Sequence, residues 1–269
     1  MPSPVPLLAL DFDGVICNGL SEYFRTTCRA YDEIWGAEHL GDWEADFCGL
    51  RPVIESGWEM PILLRALAMG VTKEAITQHW APIRDEIVKA EECDRIKIAT
   101  IVDRVRDRWI QEDLAGWLAL HRFYPGVLEQ IQTWLLAKTP ELWIISTKEG
   151  RFIAQLLHQQ GIDFPGGHIF GKEVKRPKAD SLRQLLFRQP GAWFVEDRME
   201  TLENIADQPD LQVVELFLAD WGYNTANMRD LAQNHPRIRL LSLAQFCGGF
   251  GEWGTGNGER GIGNRKFWV

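Results

Sequence analysis

No two cysteines of this sequence form a Cys-x-x-Cys pair. The five, Cys17, Cys28, Cys48, Cys93 and Cys247, are odd in number and widely spaced, which speaks against a zinc site and against a dithiol redox couple. A reducing compartment is the expected setting. An excess of positive charge is also missing, since 29 Lys and Arg stand against 38 Asp and Glu, a formal net charge of −9. No global field is available to attract a phosphate backbone or an anionic membrane, so neither nucleic acid nor membrane is an expected partner. Long apolar runs are absent too. The opening MPSPVPLLALDFD has no basic segment, and its apolar stretch is too short for a signal peptide or a membrane span. A cytoplasmic protein is the expectation, and no internal repeat is found.

What is present is ordinary for a globular chain: 269 residues, 45% hydrophobic and 25% charged. That length holds one full core and a further small domain. Leu7 to Leu10 is a short apolar run ending at Asp11, and Leu142 to Ile145 is a second ending at Ser146 and Thr147. Ala192 to Val195 ends at Glu196 and Asp197, Val213 to Leu218 ends at Ala219 and Asp220, and Ile238 to Leu241 adds a further candidate. Each reads as a buried strand with polar residues at its C-terminal end. Helix-period segments lie between them: Val127, Leu128, Ile131, Trp134 and Leu135; Phe152, Ile153, Leu156 and Leu157, closed by Gly161; Leu182, Leu185 and Leu186. This alternation predicts an α/β fold, a doubly wound parallel sheet of Rossmann-like type, whose ligand site lies beyond the carboxyl ends of the strands.

Residues 18–121 interrupt the alternation. They carry helical periodicity (Ile98, Ile101, Val102, Val105, Trp109) and no convincing strand, so they read as a helical insertion, divided by Pro82 and by the Gly and Pro residues from Gly49 to Pro61. The expected organisation is a core of 1–17 with 122–247, an inserted helical domain of 18–121, and a flexible glycine-rich tail of 248–269.

The segment LALDFDGVI, residues 7–15, places two carboxylates two positions apart after a buried strand, with Gly14 free to turn away. An EF-hand calcium loop needs further oxygen ligands over twelve residues, and Val15, Ile16 and Cys17 do not supply them. The segment resembles the first motif of the haloacid dehalogenase-like superfamily. Three more segments follow in matching order: LWIISTK with Ser146, a lysine in KEVKRPKADSL, and WFVEDRMETL with Glu196 and Asp197. FYPGVLEQI, from Phe123, resembles the return from a helical cap into the core of that superfamily.

The resemblance implies a magnesium-dependent phosphatase acting on a small phosphate ester, with residues 18–121 as the cap. Asp11 would attack phosphorus, and Asp13 would protonate the leaving oxygen and then take a proton from water. Ser146, with Thr147 and the backbone N–H groups opening the next helix, would hold the phosphoryl oxygens. Lys178 is favoured as the motif lysine because Pro177 precedes it and a helix follows, with Lys175 second and Lys172 third. Mg²⁺ would be held by Asp11, the Asp13 carbonyl, Asp197 and Glu196, an all-oxygen set. The fourth motif departs from its commonest form: the acid four residues after Asp197 is missing, Thr201 stands there, and Glu200 is only a weak ligand candidate.

Substrate recognition is expected in LRPVIESGWEM, residues 50–60, with Arg51 able to bind an anionic group; a surface pair with Glu55 at helical spacing is the plainer alternative. Gly222 and Tyr223 read as structural. A sugar-phosphate mutase would share every one of these residues, whereas a dehalogenase would not need Asp13 and a non-catalytic binding protein would not need the acids. The specific substrate and the oligomeric state are not legible in the chain.

Overall fold

The computed structural model describes residues 7–36, 43–189 and 191–249. In chain order the elements are β1 (Leu7–Leu10), β2 (Cys17–Asn18), α1 (Leu20–Trp35), α2 (Glu44–Leu50), α3 (Glu59–Ala68), α4 (Lys73–Ala90), α5 (Arg95–Glu112), α6 (Leu114–Leu118) and β3 (Arg122–Phe123). They continue with α7 (Val127–Ala137), β4 (Glu141–Ile145), α8 (Gly150–Gln159), β5 (Ile169–Phe170), α9 (Lys178–Leu186), β6 (Ala192–Glu196) and α10 (Met199–Ala206). The last four are β7 (Val214–Ala219), α11 (Ala226–Asn234), β8 (Ile238–Leu241) and α12 (Leu243–Gly248). The chain divides into two compact units, residues 1–18 with 123–269, and residues 19–122.

The first unit is built on a six-stranded parallel sheet in the order β5-β4-β1-β6-β7-β8. It is the doubly wound α/β architecture that the alternation of strand and helix predicts. Its inner strands are buried on both faces along most of their length, Glu215 of β7 being exposed, which is why they read as apolar runs and not as alternating ones. The chain builds outward from β1 through β4 to β5, then returns to the other side of β1 to lay down β6, β7 and β8. The order therefore reverses between β1 and β6, the place where sheets of this kind bind ligands beyond their strand ends. One core layer is Leu182 and Leu185 of α9 with Phe194 of β6, Leu202 of α10 and Leu216 of β7.

Two helix starts in this unit are set by side chains: Thr225 Oγ1 accepts from Met228 N–H, and Ser242 exchanges a capping box with Gln245. The box nucleates α12, which runs through Gly248, so the expected tail boundary falls inside that helix. Most of the expected tail, from residue 250 onward, lies outside the described residues.

The helical unit has its own core, to which α5 contributes Ile98, Ile101, Val102 and Val105 from the face predicted by their spacing. Asp94 caps α5 by accepting from the N–H groups of Ile96 and Lys97. Proline acts differently at its two positions here. Pro61 lies in the first turn of α3, where its missing N–H has no intrahelical partner to lose, so the helix continues through it. Pro82 lies deep in α4, and the backbone breaks three residues earlier at His79.

Candidate active site

The end of β1 is tied to the end of β6: Asp11 N–H donates to the Val195 carbonyl at 2.9 Å. That register puts the residues that follow the two strands side by side at the switch point. Asp11, Glu196 and Asp197 are all buried, and one carboxylate oxygen of each lies within 4.8 Å of the others. Lys178, the first residue of α9, reaches into the group, with Nζ 2.9 Å from Asp11 Oδ2 and 2.6 Å from Glu196 Oε2. Of the three candidate lysines it is Lys178 that meets the acids, while Lys175 sits in a left-handed turn and Lys172 in the short turn before it.

Each acid is further fixed by backbone. Asp11 Oδ1 accepts from Phe12 N–H at 2.7 Å, and Glu196 Oε1 accepts from Arg198 N–H at 3.3 Å. Asp197 Oδ2 accepts from Tyr223 N–H at 2.8 Å, while its carbonyl accepts from Asn224 Nδ2 at 3.0 Å. Two glycines make room for Asp197. A Cβ on Gly14, whose φ is +87°, would lie 2.1 Å from Asp197 Oδ2, and a Cβ on Gly222 would lie 2.3 Å from Asp197 Cβ and 2.6 Å from the Gly14 carbonyl. Gly222 and Tyr223 thus shape the acid cluster directly.

Burial dominates the electrostatics. It raises the Asp11 carboxyl to about 7, with Lys178 opposing and Glu196 and Asp13 adding to the rise. Burial likewise raises Glu196 to about 7 against Lys178, with Asp197 adding to the rise. Asp197 is raised to about 6 by burial and by Asp11, offset by the Tyr223 N–H. For Lys178 burial works against the charge, but Asp11 and Glu196 outweigh it and hold the ammonium above its ordinary pKa. Three carboxylates facing one ammonium form a site short of positive charge, made only of oxygen donors, and such a set fits a small hard dication such as Mg²⁺.

The other sequence-predicted residues fall into place unequally. Ser146, buried at the end of β4, accepts through Oγ from Lys148 N–H at 3.2 Å, which leaves the hydroxyl able to donate. Thr147 is exposed. The first N–H of α8, at Gly150, is engaged by Glu173 Oε2 at 3.0 Å, so this group is not open to a phosphoryl oxygen as the sequence pattern leads one to expect. Glu200, 42% exposed, is paired with Arg198 and stands outside the acid cluster. Lys148 is the residue that the sequence pattern misses: its Nζ lies 3.2 Å from both carboxylate oxygens of Asp13. No signal in the sequence marks it, since a lysine in the loop after a strand reads as a solvated charge.

Arg51 belongs to the helical unit, where its guanidinium donates to the Ile54 carbonyl at 2.9 Å and packs over the Tyr23 ring. Helix α2 ends at Leu50 and a 3₁₀ turn begins at Arg51, so the helical spacing assumed for a pair with Glu55 does not exist. Glu59 is buried within the same unit, accepting from Trp80 Nε1, Arg84 and the Ser56 N–H, and it serves that core.

The architecture matches solved structures along nearly its whole length. A predicted phosphatase from Clostridium acetobutylicum superposes with a TM-score of 0.58 at 11% identity, covering 91% of this chain and 97% of that one. A predicted phosphoglycolate phosphatase from Haemophilus somnus gives 0.57 at 17% identity, covering 89% and 95%. A haloacid dehalogenase-like family hydrolase from Streptococcus pneumoniae gives 0.53 at 15% identity, covering 89% and 95%. The chain has the haloacid dehalogenase-like fold. No protein-family model and no curated protein matches the sequence. No described helix is long and apolar enough to cross a membrane.

The raised acids have a measurable consequence. Folding lifts the Asp197 pKa from 3.8 to about 6, so without metal the folded protein loses stability as pH climbs through about 6 and loses none below the unfolded value. At pH 8 and without metal, Asp197→Asn, which keeps an acceptor for Tyr223 N–H, is expected to be more stable than wild type by about 1–3 kcal/mol. The gap should close near pH 4, and added Mg²⁺ should raise the melting temperature of wild type only. A variant that melts at or below wild type at pH 8 would show that this carboxylate is not under electrostatic load.

Proposed function

We propose that the protein is a Mg²⁺-dependent phosphomonoester hydrolase that works through a covalent phosphate on Asp11. The observation that carries this reading is the Lys178 ammonium held between Asp11 and Glu196 in the buried acid cluster at the switch point. An ammonium there keeps Asp11 oriented and is placed to share the charge of an incoming phosphoryl group.

In the first step an Asp11 oxygen bonds to phosphorus, the ester P–O bond breaks, and Asp13 gives its proton to the departing oxygen. In the second step water attacks phosphorus, Asp13 takes the proton, and the Asp11–phosphorus bond breaks to release inorganic phosphate. Ser146, with the exposed Thr147 beside it, would steady the phosphoryl oxygens through its free donor. Mg²⁺ would offset the excess negative charge and polarise the phosphoryl group. Its ligands would be Asp11, the Asp13 carbonyl and Asp197. Both oxygens of Glu196 are engaged by Lys178 and by the Arg198 N–H, which suits contact through water.

Asp11→Asn should fold normally and lose at least about 10³-fold in turnover of 4-nitrophenyl phosphate, and excess chelator should silence the wild type until Mg²⁺ is restored. Activity in Asp11→Asn within tenfold of wild type would remove the mechanism.

We further assign substrate choice to the helical unit as a cap, with Arg51 contacting an anionic group on a small metabolite. The likeness to the Haemophilus somnus protein, a predicted phosphoglycolate phosphatase, makes phosphoglycolate a sensible first compound in a panel of phosphorylated metabolites. Arg51→Ala should lower kcat/KM for the best metabolite of that panel by tenfold or more and spare 4-nitrophenyl phosphate. Small, equal effects on both would return Arg51 to a packing role.

A further inference from the structure

Lys148 stands in the loop between β4 and α8, and the roles above leave it unused. Its side chain is only 8% exposed, and Nζ lies at the same 3.2 Å from Oδ1 and Oδ2 of Asp13. Its backbone is fixed on both sides. The N–H donates to Ser146 Oγ at 3.2 Å, and the carbonyl accepts from Lys172 N–H at 2.9 Å. The neighbouring turn is itself locked, because Glu173 binds the Gly150 N–H and a Cβ on Gly171 would lie 2.3 Å from the Gly150 nitrogen. A lysine on a free loop gains little from one carboxylate, since its long side chain must give up rotamer freedom. Here the loop is already held, and the buried stem has little freedom left to lose.

The two lysines of the site meet different acids. Lys178 serves Asp11 and Glu196, whereas Lys148 serves Asp13. Contact with both oxygens restrains where the Asp13 carboxyl group sits, and proton transfer to a leaving oxygen depends on that placement. We propose that Lys148 is a positioning residue that aims Asp13 at the departing ester oxygen, acting on leaving-group departure and not on phosphate binding. The proposal rests on the reading of Asp13 as the proton donor.

The test uses the full chain with Mg²⁺ and two probes of similar shape, 4-nitrophenyl phosphate, whose phenolate leaves readily, and phenyl phosphate, whose phenolate needs a proton. Lys148→Met should lower kcat for phenyl phosphate at least about tenfold more than for 4-nitrophenyl phosphate, with KM changed by less than about threefold. Lys148→Arg should recover much of the loss. In an Asp13→Asn background, Lys148→Met should add less than about threefold, because the group it positions is already disabled. A tenfold rise in KM, equal losses on both probes, or full additivity with Asp13→Asn would each overturn the proposal and place Lys148 on the phosphate or in the scaffold. Should Lys148→Met melt well below wild type, Lys148→Gln and Lys148→Arg carry the same comparison of leaving groups. Wild-type leaving-group dependence in all three, with Asp11→Asn inactive, would sink this proposal alone; an active Asp11→Asn would sink the phosphatase reading beneath it.

Discussion

Three buried carboxylates crowd together at the ends of two neighbouring strands, and the rest of the structure is arranged around that repulsion. At an effective dielectric near 20, a close pair of like charges about 4 Å apart costs roughly 4 kcal/mol, so a group of three does not persist without compensation. Lys178 supplies one positive charge, and if all three acids are ionised two negative charges remain. The fold answers with directed N–H donors from Phe12, Arg198 and Tyr223, and with raised proton affinity at all three acids. A divalent cation at the same spot would cancel the charge that remains. Such a cluster costs stability, as strained functional sites commonly do.

The sheet explains why the crowding occurs there. Parallel strands deliver their C-terminal residues to one edge, and the reversal of order between β1 and β6 leaves that edge uncovered by a crossover. Gly14 and Gly222 then admit the Asp197 side chain between two backbones that any Cβ would push apart. Asn224 holds the loop that supplies Tyr223, bonding the carbonyls of Asp197 and Ala219 and accepting from Arg229. The site is thus a property of strand ends and of the loops that close on them, with no helix face contributing an acid.

Much of this was legible because burial leaves a direct trace in sequence. The runs at β1 and β8 match the observed strands residue for residue, and the periodic face of α5 is the buried one. β5 has only two residues and cannot show a period, so no pattern distinguishes it from loop. α11 buries Ala232 alone, too little to mark an apolar stripe. Lys178 could be singled out because Pro177 and a helical pattern bracket it. Lys148 could not, since a lysine in a loop looks like any solvated charge until the carboxylate beside it is placed. The engagement of Gly150 by Glu173 is hidden for the same reason, as the two lie 23 residues apart and meet only in the folded chain.

Trapping the covalent state tests the central claim most directly. The protein turning over 4-nitrophenyl phosphate with Mg²⁺ is quenched in acid and reduced with borohydride, which converts an acyl phosphate to the alcohol, and the peptides are sequenced by mass spectrometry. The account predicts homoserine at position 11 and no reduction at Asp13, Glu196 or Asp197. Steady phosphate release with Asp11 unreduced at every quench time, or with the mark on another residue, would contradict it.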